Sequence, residues 1–144
     1  MSIDVIAEVR VRRPREEVAG YMTDPANDPE WIGGLREARL LGDGPVAEGS
    51  RVARVASFMG RKVEYVNEVT ALDPGRILEM RSVKAPFPMH ITYTFEDGDG
   101  GTVVRNRVRG GGGVFSLGSP LFAPMVRRNV QKDLERMRDV LEAR

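Results

Sequence analysis

The chain has 144 residues, 41% of them hydrophobic and 30% charged, which suits one soluble domain with a real core. Lys and Arg number 22 against 21 Asp and Glu, and the net charge of +1 offers no basic face for nucleic acid or an anionic membrane. With no cysteine, disulfides and thiolate chemistry are excluded, and no apolar run approaches the ~18 residues of a membrane span.

The start of the chain alternates at once. Ile3, Val5, Ala7, Val9 and Val11 interleave with mostly polar residues, the period of a strand with one buried face. No signal peptide precedes this pattern, so a cytoplasmic protein is expected. Pro14 suits a first helical turn, Glu16 and Glu17 suit the positive end of the helix dipole, and Val18, Tyr21 and Met22 follow at helical spacing. Asp24-Pro25 and Asp28-Pro29 each read as an N-cap followed by a first-turn proline, predicting a second short helix that carries Trp31 and Ile32 and ends at Gly33-Gly34.

From there the period changes to two. Strands are predicted over Leu35 to Leu41, Arg51 to Phe58, Lys62 to Thr70 and Arg76 to Lys84, with a tight connection at Met59-Gly60-Arg61. Pro86 and Pro88 break the ladder before an alternating run from Phe87 to Phe95. Asp97 to Gly101 is the strongest hairpin turn, and Thr102 to Arg109 is the last strand. Gly110 to Gly113 lacks the spacing and lysine of a phosphate loop and reads as a hinge, a gate if it borders a cavity mouth. The final segment places Val126, Val130, Leu134, Met137 and Leu141 on one stripe of a long helix. Ser119-Pro120 offers a cap, a turn or kink is expected near Leu121 to Ala123, and the straight helix should begin at Pro124. Strands joined by tight turns, with helices bunched at both ends, predict one α+β domain over residues 1–144: a curved antiparallel seven-stranded sheet wrapped around a long C-terminal helix.

This order, with Pro14 opening the first short helix, Trp31 closing the second and the amphipathic helix last, resembles the START-like helix-grip superfamily, which includes the polyketide cyclase/dehydrase and lipid-transport (SRPBCC) group. The resemblance covers nearly the whole chain. It implies a cavity between sheet and long helix that holds a small hydrophobic molecule such as a lipid or polyketide, in a monomer or homodimer. A minority of the group are aromatases and cyclases, so an enzyme of that type is the alternative, and an interaction module using the sheet surface is a third. No family active-site residue transfers, so catalytic residues are unknown.

The chemistry is narrowed by counting. His90 is the sole histidine, which removes multi-histidine metal sites, and no cofactor or metal is expected. By alternation His90 points away from Met89 and Ile91, towards solvent. Polar residues that share parity with apolar strand neighbours are the better candidates: Tyr65 and Asn67 with Val63 and Val69, Tyr93 with Ile91 and Phe95, Asn106 with Val104 and Val108, Arg54 with Val52 and Ala56. Several such groups facing one core either pair with each other or line a pocket. Trp31 either anchors its helix or lines the cavity entrance. Arg105, Arg107 and Arg109 are expected to pair across strands with acids such as Glu8 or Glu96, and Asp133 with an arginine at the helix edge.

Overall fold

A computed structural model describes residues 3–58, 60–85, 88–110 and 122–144. The order is β1 (Ile3–Val11), α1 (Arg15–Thr23), a 3-10 turn (Pro25–Asn27), α2 (Asp28–Trp31), β2 (Leu35–Leu41), β3 (Arg51–Phe58), β4 (Arg61–Asp73), β5 (Ile77–Lys84), β6 (Met89–Gly98), β7 (Gly101–Gly110) and α3 (Phe122–Glu142). The strands form one antiparallel sheet in the order β1-β7-β6-β5-β4-β3-β2. Strands β2 to β7 neighbour one another in chain order, as short connections favour, and β1 closes the row by pairing with β7.

Alternation decides which face is inner. In β1, positions 3, 5, 7, 9 and 11 are buried and the residues between them exposed. Ala7 faces Asn106 and Asn106 faces Tyr93, so one row of the inner face crosses three strands. Bulges between Val66 and Asn67 and between Val69 and Ala71 bend β4, which runs to Asp73, beyond the Thr70 end expected. The C-terminal part of α3 lies on β1 and places Leu134, Met137 and Leu141, all fully buried, in one cluster with Val9, Val11, Val18, Met22 and Phe95. Nearer its start, Val126 and Val130 are only half-buried and sit with Met89 beside Ile3, Val5 and Val108.

Sheet edges are open hydrogen-bonding rows, and β1 is an edge. α3 covers it with side chains. Gln131 Nε2 donates to the Glu8 carbonyl at 3.0 Å, Glu142 Oε2 accepts from the Arg12 N–H at 2.8 Å, and Arg13 Nε donates to the Leu141 carbonyl at 3.0 Å. No helix among the described residues is long and apolar enough to cross a membrane.

Three local expectations need correction. α3 begins at Phe122, two residues before Pro124, because a first-turn proline gives up only an N–H that has no intrahelical acceptor. Pro14 is the N-cap of α1 and not its first helical residue; its carbonyl accepts from the Val18 N–H at 3.1 Å. Asp24 does cap, accepting from the Ala26 N–H at 3.0 Å, but Asp28 is the first residue of α2 and its side chain caps nothing. The readings on Met59, Pro86, Phe87, residues 111–113, Ser119-Pro120 and Leu121 lie outside the described residues.

Candidate functional site

All five polar strand residues singled out by parity lie on the inner face. Arg54 on β3 pairs in register with Tyr65 on β4, Asn67 with Val52 and Ser82, and Tyr93 on β6 with Asn106 on β7. Arg54, Asn67, Tyr93 and Asn106 are buried, while Tyr65 is half-buried. The two ends of this face differ in cover: Ala56, Val63, Tyr65 and Ser82 keep partial exposure at the β3–β5 end.

Arg54 is the centre of the group. Its Nη2 donates to Asp28 Oδ2 at 2.8 Å, and the two side chains are 5% and 2% exposed. A buried arginine needs a counterion, and Asp28 supplies it. Burial pushes the Asp28 carboxyl up to about 6, and the adjacent guanidinium limits the rise, so the pair is ionised at neutral pH. Burial acts against the charged guanidinium, yet Asp28, Tyr93 and Tyr65 hold Arg54 above the ordinary arginine range. Tyr93 is raised by burial, with Arg54 opposing.

Trp31 is fully buried and meets Tyr93 edge-on, with ring centroids 5.9 Å apart and planes at 62°. Its burial and ring contact fit the role of anchor for α2 expected from sequence, which is compatible with the entrance role. That helix is held from both sides. Asp28 ties it to β3, while Arg136 Nη1 donates to the Trp31 carbonyl at 2.9 Å and Asp133 Oδ1 accepts from the Gly33 N–H at 2.9 Å. Burial raises the Asp133 carboxyl to about 6 despite the Gly33 N–H and Arg136. Asp133 therefore pairs with an arginine as expected, at 3.4 Å, and also fastens the loop after α2. Gly34 makes the sharp exit into β2 possible: its φ is 77°, and a Cβ there would stand 2.8 Å from the Ser57 carbonyl oxygen.

Polar atoms at this face are buried without a partner among the described residues: Asp28 Oδ1, Trp31 Nε1, Arg54 Nε, Asn67 Nδ2 and Asn106 Oδ1. Three are donors and two are acceptors, set among apolar side chains. A pocket of about 910 Å³ opens at Arg54, the one residue of this group that lines it; Pro29, Ala38 and Tyr65 share its wall with the opposite-parity residues Ala53, Val55 and Val66, among others. Its lining comes from α2, β2, β3, β4 and the end of β5, with no described residue of α3. A second pocket of about 750 Å³, between α1 and the turns at Pro45 and Pro74, contains none of the predicted site residues.

Asp28 is the site residue that sequence reasoning missed. Its place before Pro29 gave a complete local explanation as a cap, and nothing local signals a partner 26 positions away. The available clue was Arg54, whose inward parity demands a buried carboxylate somewhere. On the outer face, Arg105 pairs with Glu8 at 3.0 Å and Glu96 at 3.1 Å, and Arg107 with Asp4 at 2.7 Å. His90 also lies on that face, but it is half-buried and clamped, with Nε2 2.6 Å from Glu79 Oε1 and Nδ1 against Arg109, rather than turned freely to solvent.

The fold recurs among solved structures. TTHA0849 from Thermus thermophilus superposes with a TM-score of 0.81 at 22% identity, covering 97% of this chain and 98% of its own. The Zhui aromatase/cyclase from Streptomyces sp. R1128 does so at 0.75 and 18% identity, covering 99% and 94%. Ginseng major latex-like protein 151 from Panax ginseng follows at 0.71 and 15% identity, covering 93% and 95%. At these identities the likeness is one of fold, the START-like helix-grip architecture. No curated protein sequence matches the chain. The family profile described as polyketide cyclase / dehydrase and lipid transport matches residues 2–142, and the chain belongs to that family.

Proposed function

We propose that the protein binds a small, largely apolar molecule at the sheet beside α2, with the polar end of the ligand at Arg54 and Tyr65, which line the pocket, and Asn67 next to them on β4. The observation that carries this reading is the set of buried polar atoms without partners among the described residues on an otherwise apolar face. Leaving such an atom unsatisfied costs ~1–3 kcal/mol, and five of them are a heavy penalty for a core that serves packing alone. Half-buried Tyr65 and Val63 on β4 supply apolar surface that a ligand would cover. Native mass spectrometry of freshly purified protein, with extraction of what is bound, tests the reading. A co-purifying small apolar molecule is the expected result. Failure of the protein to retain or take up any apolar molecule counts against it.

A cyclase or aromatase activity is the second reading, favoured by the juxtaposition of the Arg54 guanidinium with the phenols of Tyr93 and Tyr65. Such groups can polarise a ketone oxygen of a polyketide chain as negative charge develops on it. Unchanged turnover in Tyr65→Phe and Tyr93→Phe would remove these roles. The interaction-module reading gains no support from the large exposed hydrophobic residues Ile6, Leu41 and Ile77, which sit on β1, β2 and β5, well apart across the sheet.

A further inference from the structure

Arg54 would by itself be a carboxylate trap. A buried guanidinium presents planar, charge-assisted donors that match a carboxylate fork, and a fatty acid or other organic anion would be its natural partner. That partner is already built in, because Asp28 Oδ2 occupies Nη2 at 2.8 Å. Within the pair, Arg54 Nε, a donor, and Asp28 Oδ1, an acceptor, are both buried and without a partner among the described residues. We propose that Asp28 sets the charge of the ligand: by neutralising Arg54, it makes the polar end of the pocket take an uncharged carbonyl or hydroxyl group in preference to a carboxylate.

This rests on the pocket reading and sharpens it to a substrate class, neutral ketones, aldehydes, esters or alcohols on an apolar frame. A ligand carboxylate placed at Arg54 Nε would stand beside the Asp28 anion, where low polarity makes like charges repel strongly, and it would surrender its own hydration. A carbonyl oxygen can accept the Nε–H, and a hydroxyl can donate to Asp28 Oδ1, without either penalty. The other charged groups on the pocket wall do not reverse this. Glu37, Glu64, Arg39 and Lys84 are two of each sign and all exposed, so water screens them, and Glu64 is paired with Lys62 at 3.3 Å. Tyr65 and Tyr93 bring hydroxyl donors without charge.

A matched pair of probes tests it: 2-acetylnaphthalene and 2-naphthoate, which share a ring system and differ in a methyl ketone against a carboxylate. Trp31 is the sole tryptophan and lies against Tyr93, so its fluorescence reports occupancy, with calorimetry as the check. At neutral pH the protein should bind the ketone at least about tenfold more tightly than the carboxylate. Asp28→Asn, which frees the guanidinium, should shift that ratio about tenfold or more towards the carboxylate. Should Asp28→Asn not fold, the double variant Asp28→Asn with Arg54→Gln carries the test, and it should weaken the ketone without gaining for the carboxylate. A carboxylate bound as tightly as the ketone, or a ratio that Asp28→Asn leaves alone, overturns the charge assignment while the pocket stands. Binding of neither probe up to its solubility overturns both.

Discussion

The two ends of the inner face are built to opposite rules. At the end where α3 finishes, Leu134, Met137 and Leu141 belong to one cluster with Val9, Val11, Val18, Met22 and Phe95, and every one of these is buried. Further towards its start the same stripe of α3 continues as Val130 and Val126, yet these are half-buried beside Ile3, Val5, Val108 and Met89, and the inner face carries Tyr65, Asn67 and Arg54 on β3 and β4 where aliphatic residues would pack. One helix and one sheet thus make a sealed core and an unsealed one. The difference is chemical before it is geometric: aliphatic side chains close on each other without help, whereas an inward arginine has to be matched by a carboxylate and cannot be matched everywhere. The sealed end supplies stability, and the unsealed end spends some of it.

Substitutions that break this comparison should differ in kind. Asp28→Ala should show the largest effect, because it strands a buried guanidinium; a loss of ~3–5 kcal/mol in denaturant unfolding is expected. Replacing both partners, Asp28→Leu with Arg54→Met, should cost far less than that or nothing, and a double variant as unstable as the single would show that the pair contributes more than charge matching. Leu134→Ala at the sealed end should cost about 2–5 kcal/mol through the cavity it leaves. It should leave the preference between ketone and carboxylate probes unchanged, since an aliphatic side chain supplies no charge, donor or acceptor to Arg54 or Asp28. A changed preference would mean that the two ends are coupled.

The shape of the comparison could be read from sequence, and its electrostatics only in part. Period two on seven segments and the α3 stripe are dense, repeated signals, so the strands, their inner parity and the buried trio Leu134, Met137 and Leu141 followed from spacing alone. The inward parity of Arg54, Tyr65, Asn67, Tyr93 and Asn106 followed from the same rule. What spacing cannot encode is which buried charge finds which. Asp28 and Asp24 sit in identical Asp-Pro contexts, yet Asp24 caps and Asp28 reaches across to β3, because only α2 is pressed against the sheet by Trp31 and Arg136. His90 departs from its solvent-facing expectation for the same reason: parity gives its face, but Glu79 and Arg109 on neighbouring strands decide whether it is free.

The fastening of α2 should itself be pH-dependent. Burial raises Asp133 from the ordinary 3.8 to about 6, so the native state holds a proton that the unfolded chain releases in that interval. Stability from this group is therefore present below about pH 4 and is lost as pH rises through about 6, the reverse of an acid in a favourable ion pair. Comparing unfolding free energies at these two ends of the window, the wild type should lose on the order of 1–3 kcal/mol relative to Asp133→Asn. An identical slope in both proteins would remove Asp133 from the account.

The smallest effect on stability should accompany a clear effect on binding, and it falls at Tyr65. The residue is half-buried, faces the pocket and neighbours the Arg54 guanidinium. Tyr65→Phe keeps the ring and removes one hydroxyl that water can otherwise satisfy, so unfolding should move by no more than ~0.5 kcal/mol. If that hydroxyl is instead a donor to the ligand, affinity for 2-acetylnaphthalene should fall by roughly threefold to tenfold, the worth of one neutral hydrogen bond. The same substitution made on the buried side, Tyr93→Phe, should cost more in stability because its hydroxyl meets Arg54 out of reach of water. Equal stability losses at the two tyrosines would erase the distinction between a sealed and an unsealed end. A loss of binding at Tyr65 without a loss of stability would place the ligand where the sheet is left half-covered.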